Sequence, residues 1–165
     1  MSGEDASRAD ISIPGVQEEL VQALLDTGKP VVVVLMNGRP LTISKLTEQV
    51  PAIVEGWFLG TETGNAIADV LLGKYNPSGK LTMSFPRNVG QIPVFYNYRQ
   101  SGRPGTDKLT KWTNRFIDSP VSPLYPFGYG LSYTTFSYSA PRVSQKEFST
   151  NEILKVSVDV TNTGQ

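Results

Sequence analysis

The sequence predicts an α/β fold: an α/β/α sandwich around a mostly parallel sheet, incomplete as it stands, followed by the opening strands of a truncated β-sandwich. Helix-period segments alternate with short apolar runs over residues 14–85, as crossover connections between parallel strands require. One of those runs, residues 31–36, is continuously apolar and largely β-branched, the pattern of a strand covered on both faces. Beyond residue 135 the period drops to two, as in strands that keep one face in water.

Residues 14–28 form the first predicted helix, with Val16, Leu20, Ala23 and Leu24 on one face. Glu18 and Glu19 suit the positive end of its dipole, and Gly28 is placed to end it. The strand 31–36 follows, then the turn Asn37-Gly38-Arg39-Pro40 and a short extension at 41–43. Residues 52–57 give a second strand, and residues 61–72 a second helix that buries Ile67, Val70 and Leu71, with Gly73 at its end. Asn76-Pro77-Ser78-Gly79 is a turn of strong type, and residues 80–85 are expected to add another strand. From residue 86 to 123 the periodicity dissolves into Pro, Gly, Asn and aromatics, and a stretch of that kind in a compact protein carries function or packs on a neighbour. Residues 135–139 and 153–160 then alternate, with Leu154, Val156, Val158 and Val160 on one side of the second segment. A β-sandwich needs about seven strands, so the expected division is a first unit at 1–136 and a cut-short second unit at 137–165.

The 15 basic and 15 acidic side chains cancel, which removes the electrostatic basis for a nucleic-acid partner or an anionic membrane surface. No apolar run approaches the ~20 residues of a membrane span, and the polar, acidic start does not resemble a secretory leader. The chain has no histidine and no cysteine. A Ser-His-Asp or Cys-His nucleophile and a His/Cys zinc site are therefore excluded within it. Catalysis has to come from carboxylates, hydroxyls, Lys or Arg. The lack of cysteine leaves the compartment open.

Several positions admit two readings. Residues 2–10 gather Glu4, Asp5, Arg8 and Asp10, either as a polar terminus or as an acidic catalytic loop. The turn at 37–40 lies at the carboxyl end of a buried strand, where open α/β sheets bind ligands; its other reading is a structural turn. Trp57 either stacks on the apolar face of a ligand ring or packs in a core or interface. Glu55 and Glu62 are expected to be structural. Residues 108–118 mix cations with aromatics, including Trp112, but no nucleic-acid motif accompanies them.

Residues 124–136 read Leu-Tyr-Pro-Phe-Gly-Tyr-Gly-Leu-Ser-Tyr-Thr-Thr-Phe. Five aromatics interleaved with Pro126, Gly128 and Gly130 suit a tight loop pressed between two bodies. With Asn-Pro-Ser-Gly-Lys-Leu-Thr-Met-Ser-Phe-Pro at 76–86, Gly-Gln-Ile-Pro at 90–93 and the glycine-containing 60–72 segment, the chain resembles glycoside hydrolase family 3 enzymes of the bacterial β-glucosidase type.

The resemblance implies a C-terminal α/β sandwich domain joined by residues 124–136 to a fibronectin type III-like domain. It implies that Glu4 is the general acid/base, that Arg8 and Trp112 contact substrate, and that Trp112, Tyr125 and Phe127 lie near a domain interface. The nucleophilic aspartate of the family sits on an N-terminal barrel domain, and no part of this sequence resembles it. The parent is then expected to be a periplasmic or secreted, cofactor-free retaining enzyme acting on β-glucosides or short oligosaccharides, and the chain alone to be inactive. The rivals are a non-catalytic carbohydrate-binding or structural module, and an enzyme assembled from two chains.

Overall fold

Glycines with positive φ bracket the first helix, Gly15 at 65° and Gly28 at 73°, and between them α1 winds over Gln17–Leu25. The structure is a computed structural model that describes residues 6–100, 102–106 and 111–164. Val21 and Leu25, one helical turn apart, are the α1 side chains that pack on the core. The expected face is therefore corrected: Val16, Leu20 and Leu24 are exposed. The parallel sheet is only two strands wide among the described residues, too narrow to cover a broad apolar stripe.

Those strands are β1, Val32–Leu35, and β2, Ala52–Glu55. They run parallel in the register Val32↔Ala52 to Leu35↔Glu55. The crossover between them contains a helix that was not expected, α2 at Ser44–Gln49. Ile43, Leu46 and Val50, spaced three and four apart, carry this short crossover into the interior, and Leu46 is only 2% exposed. The expected extension at 41–43 does not lengthen β1. Thr42 instead forms a parallel bridge with Ser12, and its N–H donates to the Ile11 carbonyl at 2.9 Å. Coverage of β1 is also less than its apolar run suggested, since Val32 is 47% exposed while Leu35 is buried.

After β2 a 3₁₀ turn at Gly60–Glu62 leads into α3, Thr63–Leu71. Ile67 and Val70 of its expected face are half-buried, and Leu71 is exposed. Residues 80–85 do not join the sheet as a strand. They pair irregularly with the aromatic segment: Leu81 N–H donates to the Tyr129 carbonyl at 2.8 Å, Gly128 N–H to the Leu81 carbonyl at 2.7 Å, and Phe85 N–H to the Tyr125 carbonyl at 2.8 Å. Pro86 and Pro126 each lack the N–H that a regular ladder would need next. Phe85 is driven into the core by this pairing and is 2% exposed, beside Leu35, Ile43, Leu46 and Val50, with Trp57, Leu124 and Tyr125 packed against them.

Beyond residue 135 the described strands pair antiparallel. β3, Phe136–Tyr138, pairs with β6, Val160–Asn162. β4, Arg142–Val143, pairs with β5, Val156–Ser157. The single strand expected at 153–160 is thus split between two partners. Most of its apolar side chains lie open, with Ile153 84% exposed and Val156, Val158 and Val160 also exposed, while Leu154 is half-buried. The architecture is α/β with a small parallel sheet, followed by antiparallel pairs.

Candidate functional site

Because β1 and β2 run parallel, their carboxyl ends share one edge, the edge where open α/β sheets bind ligands. The turn after β1 and the end of β2 meet there through Asn37. Its Nδ2 donates to the Arg39 carbonyl at 2.7 Å and to Glu55 Oε2 at 3.3 Å. The other oxygen of Glu55 accepts from the Trp57 N–H at 2.9 Å. Asn37 Oδ1 is buried without a hydrogen-bond partner among the described residues. Burial pushes the Glu55 carboxyl above the ordinary glutamate range, and the Trp57 N–H and Asn37 amide pull part of the way back.

The amino-terminal strip lies against this edge. Arg39 Nη1 donates to the backbone carbonyl of Arg8 at 2.6 Å, across 31 positions of sequence. Asp10 Oδ1 accepts from the Ser12 N–H at 2.9 Å and from the Ser12 hydroxyl at 2.7 Å, and these bonds hold the Asp10 carboxyl below its ordinary value. The bridge from Ser12 to Thr42 then ties the strip to the chain leaving the turn.

Beside Arg39 opens a groove of about 420 Å³, lined among others by Ile11, Met83, Phe95, Tyr96 and Phe127. Tyr96 stacks on Phe127 with ring centroids 4.4 Å apart. Aromatic walls with a guanidinium at the rim suit a ligand that has both apolar faces and hydroxyls, since rings cover C–H faces and the cation donates hydrogen bonds. The Phe95–Tyr96 wall was missed in the sequence, where it sits inside the aperiodic 86–123 stretch; its aromatics were the available signal.

The predicted site residues divide. Glu4 lies outside the described residues. Arg8 has an exposed side chain and a backbone fixed at the sheet edge. Trp112 is 69% exposed with φ 72°, and its ring is flanked by Arg103 at 5.7 Å and Lys111 at 5.1 Å. No hydrogen bond or ring contact among the described residues joins Trp112 to the Arg8–Arg39 contact. Trp57 packs on Phe85, centroids 5.8 Å apart, in keeping with its packing reading. The 37–40 turn is closed by Asn37, in keeping with its structural reading. Among the described residues no group of three or more carboxylate, His or Cys side chains could hold a metal, and no helix is long and apolar enough to cross a membrane.

The sheet edge, the groove and the strip from Arg8 to Ser12 thus meet at Arg39. Residues 1–133 match the model of the glycosyl hydrolase family 3 C-terminal domain, and the chain belongs to that family. It is 55% identical over its whole length to a periplasmic beta-glucosidase of Salmonella typhimurium, covering 22% of that protein. It is 51% identical over 99% of its length to a beta-xylosidase of Formosa agariphila, again covering 22%. Among solved structures it resembles a β-glucosidase from Listeria innocua in complex with isofagomine, with a TM-score of 0.90 and 46% identity over 97% of this chain and 22% of that one. The complex of the Listeria enzyme with glucose gives a TM-score of 0.89 at 45% identity over 98% of this chain and 23% of that one. The chain therefore spans about a fifth of the length of the relatives it matches.

Proposed function

We propose that the chain forms the C-terminal α/β body of a retaining β-glucosidase, residues 1–136, with a fibronectin type III-like domain beginning at 137, and that Glu4 supplies its general acid/base. One observation carries the reading. The Arg39 guanidinium pins the Arg8 carbonyl at the carboxyl edge of the parallel strands, which anchors the strip that follows Glu4 beside the aromatic groove.

In such an enzyme one carboxylate attacks the anomeric carbon and a carboxylic acid protonates the departing oxygen, with the two groups about 5–5.5 Å apart. The acid has to keep its proton near neutral pH, which burial or the nucleophile's negative charge achieves. The attacking aspartate would come from a barrel body outside these 165 residues, so the pocket needs both bodies to orient the sugar. The substrate class is a β-linked terminal glucoside of an aryl alcohol or short glucan. The Formosa relative's name makes a β-xyloside the second substrate class. By the same likeness the parent works in the periplasm or outside the cell.

The test is release of nitrophenol from aryl β-glucoside and β-xyloside by the purified chain and by Glu4→Gln. No turnover in either fits a half-site. Turnover in the unaltered chain that Glu4→Gln abolishes would place the nucleophile within these residues and overturn the two-body reading.

A further inference from the structure

Glu55 is half-buried at the end of β2, and no cation pairs with it among the described residues. A carboxylate withdrawn from water without a counter-charge costs stability, so packing alone gives no reason for it here. Its two oxygens are both occupied, one by the Trp57 N–H and one by the Asn37 amide. With Nδ2 shared between Glu55 and the Arg39 carbonyl, the Asn37 amide has one workable orientation, because the reverse would set its oxygen against two acceptors. The turn that Asn37 closes carries Arg39, and Arg39 reaches the Arg8 carbonyl.

From this connected set we infer that Glu55 is a positioning residue for the strip that follows Glu4. It acts through Asn37 and Arg39 on the backbone carbonyl of Arg8. Its importance for turnover rests on the acid/base reading of Glu4; the relay itself does not. Glutamine cannot replace it cleanly. An amide has a single oxygen, so either Asn37 or the Trp57 N–H would face an –NH₂ group.

Trypsin reads the relay directly, because the carbonyl that Arg39 holds belongs to the Arg8–Ala9 bond, which trypsin cuts. In the whole chain, Glu55→Gln and Arg39→Ala are expected to speed cleavage at Arg8–Ala9 about three- to tenfold, the effect of losing roughly one hydrogen bond. Cleavage after Lys45, inside α2, should stay at the wild-type rate. Unchanged cleavage at Arg8–Ala9 in both variants would overturn the relay. So would equal acceleration at both bonds, which would mean general loosening. If Glu55→Gln fails to fold, Arg39→Ala, at a half-exposed position, decides alone. A Glu4→Gln comparison of turnover tests the acid/base role separately, so failure of that role is told apart from failure of the relay.

Discussion

Phe85 and Tyr125 are joined through both backbone and ring. The Phe85 N–H donates to the Tyr125 carbonyl at 2.8 Å, and their rings meet edge to face with centroids 6.3 Å apart. Through this pair the aromatic segment closes the core of the α/β unit. Phe85→Ala should therefore cost about 3–5 kcal/mol, the usual range for removing a buried ring. Urea unfolding followed by tryptophan fluorescence checks it, since Trp57 lies 5.8 Å from Phe85. A loss below about 1 kcal/mol would mean that this ring is not a core residue.

Gly130 sits where a side chain has no room. An added Cβ would lie 2.7 Å from the Gly79 carbonyl oxygen and 2.9 Å from Lys80 Cδ, and Lys80 Nζ donates to the Gly130 carbonyl. The lysine could move aside, but the Gly79 backbone could not. Gly130→Ala should destabilise by about 1–3 kcal/mol. Gly64, in the first turn of α3 with open space at its Cβ, is the contrast. Alanine there should stabilise by about 0.4–1 kcal/mol through the unfolded chain. Thermal melts of the two variants should move in opposite directions.

The pH dependence of stability should carry a Glu55 component of definite sign. Burial raises its folded-state pKa, so the folded chain holds this proton more tightly than the unfolded chain does. The stability it contributes is full below the ordinary glutamate pKa and is lost as pH rises through the raised value. Asp10 has the opposite sign: bonded to Ser12, it is lowered, and its contribution is lost as pH falls through that lowered value. Urea midpoints measured from the acid side to neutrality should show wild-type stability falling relative to Glu55→Gln across the upper window. A constant difference would contradict this.

Trp112 should matter little to the fold. It is 69% exposed and touched by two solvated cations, so Trp112→Ala should change the unfolding free energy by less than about 0.5 kcal/mol. A larger loss in chemical denaturation would show that its ring packs on a part of the chain.

The parallel pair could be read in advance because β-branched and apolar residues run unbroken through 31–36 and 52–54, with helix-period segments around them. Helix α2 could not, since Ser44–Gln49 holds one apolar residue and its helical spacing shows only when Ile43 and Val50 are counted with Leu46. The strand expected at 80–85 was lost to a non-local competitor, the aromatic segment some 45 positions further on. At the site, the family motifs pointed to the acidic strip and to the aromatic 124–136 segment. The Arg39–Arg8 contact and the Asn37–Glu55 pair were not legible, because nothing local in a sequence records which carbonyl an arginine reaches.

The most direct measurement installs residues 1–165 in place of the matching stretch of the Salmonella typhimurium protein and compares Glu4 with Glu4→Gln on two substrates. One aryl β-glucoside has a poor leaving group and the other an activated one. A general acid matters most where the leaving oxygen needs a proton, so the variant should lose about 10²–10⁴-fold on the poor leaving group and much less on the activated one. Equal losses on both substrates, or no loss on either, would contradict the assignment of Glu4 as the acid/base.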